Sequence, residues 1–298
     1  MKTAALLFPL AGLLACSSSS SDFDATGNFE ADEVIVSAEA AGKIVKLEIE
    51  EGKQLSGNSI VGLVDTTQLY LKKKQLQYSI RAVTSRMPNT NVQLAAINEQ
   101  ITTAKREKAR VESLLKDDAA TKKQLDDINA QLELLQRQYD ATQSSLNVTI
   151  NSLQSETLPL KAQLEQIQDQ IEKSKIKNPI DGTVLTQYAM QDEVASPGKA
   201  IYKVADLSTL MLRAYIAGNQ LSSVKLGQEV DVLVDAADGT YKTYKGVVTW
   251  VSDKAEFTPK TIQTKEERAN LVYATKIKVK NDGYLKLGMY GEVKFKFK

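Results

Sequence analysis

Chemistry at a protein site needs side chains that exchange protons, hold metals or attack electrophilic carbons, and this chain is short of them. Its 298 residues include no histidine and one cysteine, Cys16. That removes histidine acid–base catalysis, Cys/His metal sites, catalytic triads and thiol nucleophiles, with Cys16 the lone exception. The carboxylate pairs Asp117/Asp118 and Asp192/Glu193 fall in predicted turns with no apolar pocket around them, and read as ordinary turn acids. Gly57 to Gly62 begins like a phosphate loop, but Leu63 follows where lysine is needed. Lysine plus arginine number 38 against 37 acids, a net charge of +1, so no basic field argues for nucleic acid. The expectation is a chain with no catalytic residue, cofactor site or metal ligand, and hence not an enzyme.

The dominant element is a helical seam. From Leu125 through Ile128, Leu132, Leu135, Tyr139, Thr142 and Leu146, then on through Ile150 to Ile171, apolar positions recur at alternating steps of three and four. An average spacing of 3.5 keeps one face toward a partner helix, the coiled-coil condition. The four-residue steps on either side of Leu146 form a stutter, which unwinds the supercoil locally. The partner lies upstream, where Leu76 to Leu115 follow the same alternation. Lys116 to Ala120 is short enough to force an antiparallel return. Thr121 then starts the second limb with Gln124 three residues on, a capping-box pattern. At about 1.5 Å per residue the hairpin projects on the order of 70 Å. Pro88 biases Met87 away from helix, and Asn89, Thr90 and Asn91 offer caps for a restart, so a kink or short break is predicted there. Pro159 is predicted to kink the return limb.

Two β-rich stretches flank the hairpin and share a grammar. Residues 33–65 run Val34-Ile35-Val36, Gly42 to Ile49, a turn at Glu51-Gly52, then Ile60 to Asp65. Residues 177–206 run Asn178-Pro179-Ile180-Asp181-Gly182-Thr183-Val184-Leu185, a turn near Gln191-Asp192, then Ile201 to Asp206. Gly42 aligns with Gly182, and Val64-Asp65 with Ala205-Asp206. Each half alone exposes an apolar face, so the two are predicted to pair and clamp the hairpin's base. From residue 207 on, period-two alternation returns at Leu210 to Ile216, at Val230 to Val234 and at Val293 to Phe297, with turns at Gly227, Asp238-Gly239 and Asp282-Gly283. A short β-barrel is predicted there.

The N-terminus reads as a processing segment: Lys2, an apolar run from Ala4 to Leu14 too short to span a bilayer, then Ala15 before Cys16. Leu13-Leu14-Ala15-Cys16 resembles a bacterial lipobox, which implies a signal peptide over 1–15 and a lipid on Cys16. A plain signal peptide ending near a cysteine is the alternative. Ser17 to Ser21 reads as a flexible tether, and the anchor-plus-tether region is set at 16–32.

The order of pieces resembles the HlyD-type periplasmic adaptors, also called membrane fusion proteins. The carrying residues are Ala41-Gly42-Lys43-Ile44, Pro179-Ile180-Asp181-Gly182-Thr183-Val184, the hairpin between them and Leu287-Gly288-Met289-Tyr290-Gly291-Glu292-Val293 in the tail. The resemblance covers about residues 30 to 298. It implies an α+β fold: a long antiparallel coiled-coil hairpin (66–176, tip 116–121) inserted into a split lipoyl/biotinyl-like β-sandwich (33–65 and 177–206), followed by a β-barrel and membrane-proximal region (207–298). It further implies a lipid-anchored periplasmic subunit, with the inner membrane favoured. Its partners would be an inner-membrane transporter, an ABC type foremost, and a TolC-like outer-membrane channel, with self-association into a ring, often a hexamer. Adaptors that dock such channels carry Arg-x3-Leu-x6-Ser across the tip; Arg110, Leu114 and Thr121 stand at those spacings. The bland alternative is an N-cap at Thr121, a flanking core residue at Leu114 and a solvated charge at Arg110. Phe257-Thr258-Pro259-Lys260 through Glu267-Arg268 resembles a loop of adaptors that serve ABC exporters, against a plain surface loop. Two other functions compete: a structural envelope coiled-coil lipoprotein, and a biotinyl or lipoyl carrier. The carrier lacks its lysine-bearing turn, because the hairpin occupies that place.

Overall fold

The computed structural model describes residues 23–256 and 272–295. The lipobox with Cys16, the serine tether, the segment 257–268 and residues 296–298, with Phe297 of the expected alternation, lie outside the described residues. The fold is α+β, with a long helical hairpin, two small sheets and a closed barrel.

The hairpin comprises α1 (Thr67–Thr84), α2 (Thr90–Lys116) and α3 (Lys122–Lys173). Its buried side chains are Leu76, Val83, Leu94, Ile101 and Ala104 on the first limb and Leu135, Leu146, Thr157 and Ile167 on the second. Every one is a seam position of the 3.5 repeat, because only the strip facing the other helix escapes water in a two-helix rod. The first limb breaks at Ser85 to Asn89, where Asn89 Oδ1 accepts from the Val92 amide and restarts the helix at 3.3 Å. The second limb is unbroken over 52 residues, roughly 80 Å of helix, with Pro159 inside it.

The segments on either side of the hairpin meet at its foot. One four-stranded sheet orders β2 (Glu33–Ser37), β9 (Ala200–Ala205), β7 (Gly182–Gln187) and β4 (Gln54–Leu55). The other orders β6 (Lys175–Lys177), β5 (Ile60–Val64), β3 (Gly42–Leu47) and β8 (Val194–Ala195). Each sheet mixes strands from before and after the hairpin, and one core holds Ile44 and Val64 with Val184, Ile201 and Val204. Neither flank has an apolar partner of its own, so folding must bring together residues more than 100 positions apart.

The barrel closes in the order β1 (Ala25–Glu30), β10 (Thr209–Ala217), β13 (Val272–Lys280), β12 (Tyr241–Val251), β11 (Glu229–Asp235) and β14 (Tyr290–Phe295). Its interior is filled by Phe29, Leu212, Ile216, Val232, Ile277 and Val293. β1 corrects the expected tether: residues 25–30 are a strand, not part of a flexible 16–32 linker. β10 and β14 would otherwise expose open edges, and β1 pairs antiparallel with both. The strand was hard to read because Ala25-Thr26-Gly27-Asn28-Phe29-Glu30 offers only Phe29 as a strong β-former. Gly27 is required there: a Cβ would sit 1.9 Å from the Arg213 carbonyl oxygen of β10.

Candidate functional site

The tip is built by local backbone chemistry. The Leu114 carbonyl accepts from Asp117 N at 3.2 Å and Ala119 N at 2.8 Å, closing the last turn of α2. Asp118 takes the left-handed conformation with φ 55°, which aspartate tolerates better than most residues. Thr121 then caps α3. Its hydroxyl accepts from Gln124 N at 3.3 Å and donates to Gln124 Oε1 at 3.1 Å, while Gln124 Oε1 accepts from Thr121 N at 2.7 Å. This reciprocal capping box satisfies backbone donors that no upstream turn can reach.

The three tip residues singled out by spacing sit within about two turns of the hairpin's end. Arg110 and Leu114 are one turn apart on α2, and both are exposed. The Arg110 guanidinium pairs with Glu107 Oε1 at 2.9 Å, one turn behind it, and stays in water. An exposed pair of this kind is worth little and is readily exchanged for another partner. Thr121 is different, because its hydroxyl already serves the cap. The arrangement offers a cation and an aliphatic side chain on α2 to a partner, with the Thr121 hydroxyl at the start of α3. That is binding chemistry, with no group placed to transfer a proton or attack a bond.

Among the described residues, no group of three or more carboxylates or thiols is placed to hold a metal. None of the described helices is long and apolar enough to cross a membrane. One cleft lies between the loop Glu39 to Lys43 and the hairpin foot, at Leu69 and Lys173. Three of its four charged residues are engaged elsewhere: Lys43 with Asp192 at 2.7 Å, Lys173 with Asp169 at 2.7 Å, and Asp65 with the Thr67 amide and hydroxyl.

Two structural residues carry the foot and gave no signal in the sequence. Asn178 is fully buried, and its Nδ2 donates to the Ser56 carbonyl at 3.0 Å and the Ile180 carbonyl at 2.6 Å. Its Oδ1 accepts from the Tyr202 hydroxyl at 3.0 Å. Burial pushes the Tyr202 phenol up to about 12. Asn178 thereby pins the segment before the hairpin to the segment after it. No spacing rule pairs residues 122 apart. On the barrel, Arg213 Nη2 donates to both carboxylate oxygens of Glu256, at 3.0 and 3.1 Å, fixing the threshold of the 257–271 segment.

No protein-family model matches the chain. Over 284 residues it is 24% identical to a UPF0194 membrane protein of Acidithiobacillus ferridurans, covering 88% of this chain and 83% of that one. A UPF0194 membrane protein of Yersinia pseudotuberculosis is 24% identical over 295 residues, covering 90% and 88%. Among solved structures, MacA from Actinobacillus actinomycetemcomitans superposes with a TM-score of 0.55 at 21% identity, covering 93% of this chain and 79% of that one. A MacA-MexA chimera containing the Pseudomonas aeruginosa MexA α-hairpin domain gives 0.52 at 22% identity, covering 93% and 83%. The chain therefore shares its fold with these hairpin-bearing structures.

Proposed function

We propose that the chain is a non-catalytic periplasmic adaptor of a tripartite efflux or secretion system, joining an inner-membrane transporter of the ABC class to a TolC-like outer-membrane channel. The carrying observation is the rod: a hairpin of roughly 80 Å emerges from a β-body assembled from its own two flanks. A globular core needs nothing of that length, whereas a bridge between two membranes does. The MacA fold and the resemblance to HlyD-type adaptors support the same reading. In it the segments 33–65 and 177–206, interleaved in the two small sheets, are the halves of a lipoyl-like domain. Cys16 carries the lipid that holds the chain to the inner membrane, and copies associate into a ring, a hexamer by family analogy. Arg110 and Leu114 meet the channel, and Thr121 adds its hydroxyl.

The test is copurification from detergent-solubilised envelopes with the full-length chain as bait. A transporter and an outer-membrane channel are expected together. The double variant Arg110→Glu, Leu114→Asp is expected to lose the channel and keep the transporter. Recovery of neither partner by the native chain overturns the adaptor reading; a channel retained by the double variant overturns the tip assignment alone.

A further inference from the structure

The first limb is broken, and the second loses a backbone hydrogen bond, near one level of the rod. On the first limb, residues 85–89 are not helical, and Pro88 lies between the end of α1 and the Asn89 cap of α2. On the second limb, Pro159 has no amide to donate to the Ser155 carbonyl, so α3 lacks one rung of its ladder there. Two residues before it, Thr157 fills a seam position at 2% exposure, where an aliphatic side chain would pack. Its hydroxyl donates back to the Gln154 carbonyl at 2.7 Å, a bond that tends to bend helices.

The break on the first limb and the proline on the second are registered against each other by one contact. Arg86 Nη2 lies 2.7 Å from Glu156 Oε1, with both side chains about half exposed. Pro88 follows Arg86 by two residues toward the tip, and Pro159 follows Glu156 by three toward the foot. The prolines are thus within roughly two helical turns of each other along the axis. Among the described residues, Arg86–Glu156 is the only ion pair that joins one limb to the other. The surroundings lack the usual reinforcement as well. From 87 to 98 on one limb and 141 to 155 on the other there is no charged side chain. The intrahelical pairs Glu107–Arg110, Lys108–Glu112, Glu133–Arg137 and Asp169–Lys173 all lie outside that belt.

We infer that the hairpin is a jointed rod, with an elbow at 85–89 and 157–159 latched by Arg86–Glu156, about which the tip half swings relative to the foot half. Sharp helix bends have local causes, and this level has three: a break, an internal proline and a back-bonded threonine. An elbow of this kind lets the tip seek its partner while the foot stays fixed. The joint belongs to the chain itself and does not depend on the adaptor reading, so its test needs no partner.

The test is pulsed electron–electron distance measurement on the full chain in a Cys16→Ser background. Nitroxides at Lys72→Cys and Lys105→Cys straddle the elbow, and a pair at Lys123→Cys and Asn151→Cys lies within the tip half as a control. The straddling distribution is expected to be about twice as wide as the control, as for a collective hinge motion. Arg86→Ala, or high salt that screens the exposed latch, is expected to widen it further. Pro88→Ala with Pro159→Ala is expected to narrow it to the control width, with helix content checked by circular dichroism. A straddling width equal to the control in the native chain overturns the elbow. A width that responds neither to Arg86→Ala nor to the proline pair overturns it too.

Discussion

Asn178 shows how much one side chain holds at the foot. Its amide serves two carbonyls and a phenol, all in the small core where the two flanks meet. Asn178→Ala leaves the Ile180 carbonyl and the Tyr202 hydroxyl without that partner, while the Ser56 carbonyl keeps the Ser59 hydroxyl at 2.6 Å, and a buried polar group left unmade costs about 1–3 kcal/mol. A loss of about 3 kcal/mol is expected in urea titration, with Tyr202→Phe losing less because only one acceptor is orphaned. Asp282 is a second residue with a measurable signature. Lys242 Nζ lies 2.6 Å from Asp282 Oδ2, and that hydrogen bond, with the Tyr284 amide, draws the carboxyl down to about 2. A carboxyl with a depressed folded pKa stabilises the fold above its unfolded pKa, and that contribution is lost as pH falls through about 2. An NMR titration of the Asp282 carboxyl is expected to show its midpoint there, and Lys242→Ala to raise it only part of the way to the ordinary value of about 3.9, because the Tyr284 amide and the Tyr244 hydroxyl still donate to it.

At the scale of elements, β1 and α3 depend on single positions for different reasons. Gly27→Ala would drive a methyl into the Arg213 carbonyl, from which only backbone movement gives relief. Overpacking of this kind costs about 1–3 kcal/mol, occasionally more. The expected outcome is a lowered midpoint in urea, with amide exchange rising first in β1 and its partners β10 and β14. Thr121→Ala removes the cap of α3, worth about 1 kcal/mol, and should fray its first turn in hydrogen exchange. Thr121→Gly separates capping from docking. Glycine costs an N-cap only a few tenths of a kcal/mol but carries no side-chain oxygen for a partner, so the helix start should survive. Loss of channel copurification with α3 protection intact would assign the hydroxyl to the partner; unchanged copurification would leave Thr121 as a cap alone.

At the scale of the molecule, rod and β-bodies are separable in energy. The hairpin is held by a strip of seam residues along its length, whereas the sandwich and barrel have cores of their own. Excising residues 91–150 shortens the rod and touches neither core. Such a chain is expected to keep the near-ultraviolet dichroism of the native β-bodies and to lose export entirely. Full export by the shortened chain would remove the conduit from the proposed function.

Periodicity determined the rod, since a 3.5-residue apolar repeat has one low-energy outcome in water and a short polar turn forces the return. Pro88 itself marked the break, because a missing amide acts at its own position in the chain. The alternating strands of the tail were legible for a similar local reason. What the tertiary structure decided is everything carried by distant pairing. β1 enters the barrel because two edges need it, the Asn178 amide finds Ser56 across the whole hairpin, and Arg86 meets Glu156 from the opposite limb. Propensity acts over a few neighbouring residues, while these contacts depend on where two remote stretches come to lie, which only the packed chain fixes.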